Sequence, residues 1–125
     1  MPKGWAAVIS VLQERERQDA KWGEQNHPMV GRAARLRLIS PRRECARLGI
    51  LGADEAREAC DHAHRNDEGT YAHILIEEVA EAIEASSEHG DASDAAREEW
   101  VQVAAVALAI VESIDRKRQN GGGRG

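Results

Sequence analysis

The chain has 125 residues, which suits one domain, and its net charge of −5 argues against nonspecific binding to nucleic acid or anionic membranes. Abundant Ala, Glu and Arg favour helices, and no segment alternates apolar and polar residues as a strand does, so we predict an all-α fold. The longest apolar run, Val103 to Val111, is too short to span a bilayer. With no signal peptide visible, we expect a soluble, cytoplasmic protein.

The first helix is predicted from about Trp5 to Lys21. Helical periodicity places one residue of every turn on a common stripe, which comprises Trp5, Val8, Leu12, Arg15, Asp19 and Trp22. The first three suit a core. Arg15 and Asp19 interrupt the apolar face, and they suit either an i,i+4 ion pair at the edge of a bundle or a helix end beside a polar cavity.

A polar segment from Lys21 to Pro28 follows this helix, which we expect to end at Gly23. It combines a large aromatic side chain, a lysine, two amides and a histidine. That mixture suits stacking on a nucleotide base, although polar residues are common in any loop. Both interpretations stay open.

An Arg-rich segment covers residues 32–47, with six arginines in sixteen residues. Ser40 and Pro41 are typical of an N-cap and first helical position, so a short helix is predicted from about Pro41 to Leu48. The arginines suit either a solvated flap that neutralises an acidic protein or a cover over a triphosphate.

A further helix is predicted from Asp54 to Asn66, with its inward positions at Ala56, Ala59, Cys60 and Ala63. Asp61 and His64 lie at i,i+3, but the Glu-x-x-His pairs of di-iron bundles are absent, so we predict no transition-metal site here. Cys45 and Cys60 show no metal-binding or disulfide spacing, and we expect two reduced thiols.

Two long helices complete the chain. Thr70 is predicted to cap a helix that ends near His89, and Asp91 or Ser93 begins a helix that continues to about Arg118. The Gly-rich residues 119–125 are predicted to be a disordered tail. We therefore expect one helical domain over residues 1–118.

The first of these helices contains a carboxylate where an apolar residue is expected. Taking Tyr71 as the reference direction, Leu75 and Ala82 fall within about 40° of it, and Glu78 lies in the middle of that face. Glu81 lies at the margin of the face and Glu77 further round. A carboxylate in a core face is costly unless a cation or hydrogen-bond donors satisfy it.

The last helix supplies a second polar pair. Its run Val103 to Val111 is apolar on every face, which predicts a helix surrounded by protein. Glu99 and Gln102 precede this run, one turn apart on a shared face. An E-x-x-E pair and an E-x-x-Q pair on antiparallel helices can converge, and oxygen ligands of this kind select Mg²⁺ or Mn²⁺.

These motifs resemble a known family. Glu77-Glu78-x-x-Glu81, followed after seventeen residues by Glu99-x-x-Gln102, resembles the E-E-x-x-E…E-x-x-D signature of the MazG-like, all-α nucleotide pyrophosphohydrolases, whose superfamily includes the dimeric dUTP pyrophosphatases. The segment from Arg17 to Gln25 is similar to the N-terminal part of small MazG-like proteins.

The resemblance implies a helical bundle of the all-α NTP pyrophosphatase type, completed by a homodimer or homotetramer. It also implies Mg²⁺-dependent hydrolysis of a nucleoside triphosphate between its α and β phosphates, with Mn²⁺ as an alternative ion. The metal ligands would be Glu78, Glu81, Glu99 and Gln102, and Glu77 with Glu78 would be catalytic. The substrate-binding residues would be Arg15, Gln18, Lys21, Trp22 and Gln25.

One position departs from the family signature, because Gln102 stands where the motif has Asp. An amide oxygen can ligate a hard cation, but the site then has one negative charge fewer. Three hypotheses follow: a pyrophosphohydrolase, a nucleotide-binding or regulatory protein with weak or no turnover, and a purely structural helical module. The predicted burial of Glu78 weighs against the third.

Overall fold

The structure is a computed structural model that describes residues 4–121, and within this range it contains six helices and no strand. The helices are α1 (Trp5–Trp22), α2 (Arg32–Arg35), α3 (Pro41–Arg47), α4 (Ala53–Arg65), α5 (Tyr71–His89) and α6 (Asp94–Asn120). The predicted all-α class is confirmed. None of the helices in this range is long and apolar enough to cross a membrane.

The helix boundaries follow from capping side chains. The hydroxyls of Ser40 and Thr70 accept hydrogen bonds from the backbone N–H groups of Arg43 and His73, as predicted for N-caps. Ser93, rather than Asp91, caps α6, because its hydroxyl accepts from the N–H of Ala96 at 3.0 Å. α5 ends at Gly90, whose φ of 101° suits a residue without a side chain.

Several ends differ from the predictions by one or two residues: α3 ends at Arg47 rather than Leu48, and α4 covers Ala53–Arg65 rather than Asp54 to Asn66. α1 includes Trp22, one residue beyond the predicted end. α6 continues through Gln119 and Asn120, so the predicted disordered tail begins too early. Residues 122–125 of that tail lie outside the described residues.

The described residues fall into two compact units. One contains α1 and the part of α6 from Ala107 onward, and the other is Pro28–Val106, with α2 to α5 and the beginning of α6. The four glutamates of the predicted metal site, Glu77, Glu78, Glu81 and Glu99, all belong to the second unit.

The core of the second unit is built from small side chains. One cluster contains Val30, Ala34, Cys45 and Ile83, and another contains Ala53, Ala56 and Ala80. Helix α5 packs against α3 and α4. Because alanine lets helix backbones approach closely, a core with no Phe can still pack two helices against α5.

The principal buried face of α5 is not the predicted one. Ala80, which is fully buried against α4, lies about 180° around the helix from Tyr71. Tyr71 itself is 40% exposed. The Tyr71 face still includes the buried Ala82, so the C-terminal half of α5 is covered on two sides.

Several other predicted core positions are exposed within the chain. Trp5 and Leu12 of α1 are 43% and 56% exposed, and Ala7 is the buried residue of this helix. Ala59 of α4 is also exposed. No residue of the run from Val103 to Val111 is buried, so the prediction that this run is surrounded by protein is wrong for a single chain.

An ion pair between the buried Glu44 and the half-exposed Arg47 organises residues 31–47, where the sequence was least informative. Glu44 is fully buried, and its carboxylate accepts hydrogen bonds from Arg47 at 2.6 and 2.8 Å and from the backbone N–H of Gly31 at 2.6 Å. These bonds, led by that from Arg47, lower the pKa of Glu44 to about 2. Glu44 thereby links α3 to the N-terminus of α2.

Candidate metal centre

Three carboxylates of α5 lie together on one side of the helix. Glu77, Glu78 and Glu81 each place an oxygen within 4.8 Å of the others, and all three are half-buried. They are spaced i, i+1 and i+4, so a single helical turn brings them together. Like charges at this spacing repel one another, and the repulsion grows as water is excluded.

A fourth carboxylate, that of Glu99 on α6, interacts with them through its charge. The turn at residues 90–93 returns the chain, and the indole N–H of Trp100 donates to the hydroxyl of Ser86 at 3.0 Å. The charge of Glu99, next to Trp100, contributes to raising the pKa of Glu78. Glu99 is not among the carboxylates whose oxygens lie within 4.8 Å of one another, which are all on α5, so joint coordination of an ion by the two helices stays a prediction.

Two carboxylate oxygens in this cluster lack a partner. Oε2 of Glu78 and Oε2 of Glu99 are both buried, and neither has a hydrogen-bond partner among the described residues. Buried polar atoms are nearly always satisfied in folded proteins. An unpartnered carboxylate oxygen on each of two facing helices is what a cation-binding site presents before the cation is added.

The electrostatics of the cluster also favour a cation-binding site. Burial raises the pKa of Glu78, and the charges of Glu81, Glu99 and Glu77 raise it further. Burial and then Glu81 likewise raise the pKa of Glu99 and of Glu77. A divalent cation would remove this repulsion. Because all the donors are carboxylate oxygens, the residues fit Mg²⁺ or Mn²⁺ better than a soft metal.

An arginine that was not predicted to be part of the site contacts the cluster. Nη2 of Arg57, on α4, donates to Oε1 of Glu81 at 2.9 Å. Its Nη1 lies 3.4 Å from Asp54, one turn earlier on the same helix. Sequence spacing reveals the Asp54 pair, but the contact with Glu81 depends on how α4 packs against α5.

The expected fourth ligand differs from the three glutamates in its exposure to solvent. Gln102 lies one turn after Glu99 on α6, as predicted, but its side chain is exposed. Glu98, on a different side of α6, is exposed too. Coordination of an ion by Gln102 stays a prediction.

The predicted substrate-binding residues belong to the other compact unit. Arg15 donates to Asp19 at 2.9 Å and to Gln18 at 2.7 Å, so the ion-pair interpretation of Arg15 and Asp19 is confirmed. The ammonium of Lys21 lies 4.7 Å from the centre of the Trp22 ring. Trp22 and Gln25 are exposed. The roles of these residues in substrate binding stay predictions.

The Arg-rich segment 32–47 is largely bonded to its own unit. Four of its arginines donate to protein acceptors: Arg35 to the carbonyl of Val30, Arg37 to the carbonyl of Glu88, Arg42 to Glu55 and Arg47 to Glu44. This arrangement favours a structural role over a cover for a triphosphate.

The two cysteines are free and buried, in agreement with the prediction of reduced thiols. Burial, followed by the charge of Glu84, raises the pKa of the Cys45 thiol to about 11. Near Cys60, Nδ1 of His64 lies 2.8 Å from the Cys60 carbonyl oxygen, where it donates a hydrogen bond. Cys60 and His64 are therefore accounted for by packing and local bonding.

The chain was compared with models of protein families, with curated proteins and with solved structures, and none of the three comparisons found a match. The likeness to the MazG-like signature therefore depends on the two carboxylate motifs and their spacing. What the structure adds is the arrangement of those motifs: three half-buried carboxylates of α5 have oxygens within 4.8 Å of one another, and the charge of Glu99 on α6 raises the pKa of Glu78.

Proposed function

We propose that the protein is a Mg²⁺-dependent nucleoside triphosphate pyrophosphohydrolase, which cleaves between the α and β phosphates to give a nucleoside monophosphate and pyrophosphate. The observation that carries the proposal is the pair of buried, unpartnered oxygens, Oε2 of Glu78 and Oε2 of Glu99, in the carboxylate cluster. The spacing of the two motifs supports the same reaction. A purely structural bundle gains nothing from such a pair.

Each carboxylate has a distinct role in this proposal. Glu78, Glu81 and Glu99 hold the ion, and Glu77, adjacent to them on α5, orients the attacking water and accepts its proton. Bound Mg²⁺ supplies neutralisation of the phosphate charge and activation of the water. The half-buried position of the carboxylates limits competing solvent and strengthens their interaction with the reacting groups.

We propose that the fold is of the MazG-like type and is completed by a second or further copies of the chain. The support is the run Val103 to Val111, which is apolar around the whole helix and yet contains no buried residue. Val101, two residues before the run on α6, is also 51% exposed. Light scattering coupled to size exclusion would give twice or four times the chain mass.

A second function is a nucleotide-binding or regulatory protein with weak or no turnover. It is favoured by one position, Gln102, which replaces the expected carboxylate with a neutral and exposed amide. Loss of one negative charge weakens the affinity of a site for a divalent cation. The same cluster would then bind a nucleotide–cation complex without hydrolysing it efficiently.

Pyrophosphate release over a panel of nucleoside triphosphates, with Mg²⁺ or Mn²⁺, tests both functions. We expect cation-dependent release that Glu78→Gln lowers by about 100-fold or more, since metal ligands act as a unit. Glu88→Gln is the matched control, because Glu88 is an exposed glutamate of the same helix outside the cluster. No release by the wild type together with release by Gln102→Asp would establish the binding protein instead. If Glu78→Gln bound Mn²⁺ with unchanged affinity, the carboxylate cluster would not be the metal site.

A further inference from the structure

The carboxylate cluster includes a cationic side chain. The guanidinium of Arg57 is bonded to Glu81 at 2.9 Å, and it also lies near enough to lower the pKa of Glu77 through its charge. Glu81 also supplies one of the carboxylate oxygens that would hold a divalent cation. Arg57 and a cation therefore share a carboxylate.

Arg57 lies at the open side of the cluster. Its side chain is 51% exposed, whereas that of Glu81 is 20% exposed. Its other contact, with Asp54, is long at 3.4 Å, and the Asp54 side chain is 97% exposed, so this contact restrains the guanidinium little. The Arg57 head can therefore turn towards a ligand in the cluster without leaving an unsatisfied buried group.

The packing of α4 on α5 does not depend on this bond. Ala53 and Ala56 of α4 meet Ala80 of α5 in a buried apolar cluster. That contact excludes water and fixes the distance between the two helices. Arg57, at the edge of the cluster, is therefore not needed to hold α4 against α5 and can bind a ligand.

We propose that Arg57 is a phosphate-binding residue of the site, which pairs with Glu81 in the absence of a divalent cation and with a phosphate of the substrate once a cation occupies Glu81. This inference rests on the proposed function. A coordinated carboxylate has little remaining attraction for a guanidinium, since the cation neutralises its charge. The freed guanidinium has a fork of N–H donors that matches two oxygens of a phosphate group.

The ligand class follows from the chemistry of the two partners. The cation attracts oxygens of a polyphosphate, and Arg57 adds a bidentate contact to another phosphate oxygen pair beside it. Arg57 also keeps the empty cluster from having four uncompensated carboxylates. The arginine thus acts as a counter-ion in one state and as a substrate contact in the other.

Two calorimetric titrations of the full chain test the inference, one with MnCl₂ alone and one with inorganic pyrophosphate at saturating Mn²⁺. We expect Arg57→Gln to bind Mn²⁺ more tightly, by about 3- to 10-fold, because the competitor for Glu81 is gone. The same variant should bind pyrophosphate about 10-fold or more weakly, because a charge-assisted bidentate contact is lost. Arg57→Lys should recover part of the pyrophosphate affinity.

Arg42→Gln is the matched control, since Arg42 is likewise an exposed arginine paired with a glutamate of a neighbouring helix, at 2.7 Å from Glu55. It removes the same charge, and we expect both affinities to stay at the wild-type value. Thermal midpoints of all variants establish that they are folded, and Arg57→Lys retains the ion pair if the glutamine variant unfolds.

The outcomes separate this inference from the proposed function. If the wild type binds Mn²⁺ and pyrophosphate and Arg57→Gln leaves either affinity unchanged, the inference is overturned while the proposed function stands. If the wild type binds no Mn²⁺, the proposed function fails, and the inference fails with it. If Arg57→Gln binds Mn²⁺ more tightly and pyrophosphate more weakly, and Arg42→Gln binds both as the wild type does, the result supports the inference and the proposed function.

Discussion

The indole N–H of Trp100 on α6 donates to the hydroxyl of Ser86 on α5 at 3.0 Å, and that hydroxyl in turn donates to the carbonyl of Ala82 at 2.8 Å. This chain of two hydrogen bonds joins the helices two turns of α5 away from Glu78. Glu99 immediately precedes Trp100. The bond between Trp100 and Ser86 therefore sets where the carboxylate of α6 stands relative to those of α5.

Ser86→Ala should destabilise the protein, and Ser87→Ala should not. Loss of the Ser86 hydroxyl leaves the Trp100 N–H without its acceptor, which costs about 1–2 kcal/mol of unfolding free energy. The adjacent Ser87 hydroxyl is also buried but has no partner, so its removal is neutral or stabilising. Urea denaturation of both variants measures the difference.

The same pair of variants reports on the cluster. Ser86→Ala should weaken Mn²⁺ binding, because Glu99 loses its fixed position, whereas Ser87→Ala should bind Mn²⁺ as the wild type does. Equal stability of the two variants would contradict the role of the Trp100–Ser86 bond.

Glu78→Gln should stabilise the protein when no divalent cation is present. A carboxylate whose pKa is raised in the folded state holds its proton better there, so stability falls as pH rises above the ordinary value of 4.5. At pH 7 we expect a rise in Tm of roughly 2–5 °C for this variant. The gain should shrink as pH falls below 4.5, because Glu78 then becomes protonated in the unfolded state as well. Thermal unfolding between pH 4 and 7 measures it.

Without Mg²⁺ we expect Glu78→Gln to have a higher Tm than the wild type, and with Mg²⁺ we expect the wild type to have the higher Tm. A ligand of the native state raises the Tm of the wild type, and Glu78→Gln should respond little. Glu88→Gln, on an exposed part of the same helix, should behave as the wild type in both conditions. A Mg²⁺ response retained in full by Glu78→Gln would contradict the assignment of Glu78 as a ligand.

Glu44→Gln should be destabilising at neutral pH and much less so in acid. The folded-state pKa of Glu44 is lowered from 4.5 to about 2, so its stabilising effect is complete above pH 4.5 and is lost as pH falls towards 2. We expect a loss of about 2 kcal/mol at pH 7, after allowing for the half-exposed Arg47 partner. Urea denaturation at pH 7 and at pH 3 gives the comparison. A loss of equal size at both pH values would argue against the ion pair.

Gly31→Ala should destabilise the same region for a steric reason. Gly31 has a φ of −66°, which any residue adopts, but a Cβ there would lie 2.7 Å from Nη2 of Arg47 and 3.2 Å from Oε2 of Glu44. The ion pair must shift, and we expect a loss of about 1–3 kcal/mol. In an Arg47→Ala background the added methyl group meets less crowding, so the two losses should not add. Full additivity in a double-mutant cycle would refute the steric account.

The sequence by itself was sufficient for the all-α class and for the five longer helices, with ends within one or two residues, but not for the short helix α2. Capping at Ser40 and Thr70 and termination at Gly90 depend on bonds within a few residues, so they are visible in the order of the residues. The i,i+4 pair of Arg15 and Asp19 is local in the same sense. The carboxylate motifs were found for this reason too, since one helical turn brings Glu77, Glu78 and Glu81 together.

Only the tertiary structure decided which faces are buried and which distant side chains meet. Helical periodicity favoured the Tyr71 face of α5 as the buried one. Alanine and serine on the other side instead let α3 and α4 approach closely. Hydrophobicity scales give such small residues little weight, so this face does not stand out in the sequence. The contact of Arg57 with Glu81, and the burial of Glu44 under Gly31, likewise join residues on different elements. These contacts form only when the helices pack. Before packing, a long charged side chain has many solvated conformations, and burial leaves few of them accessible.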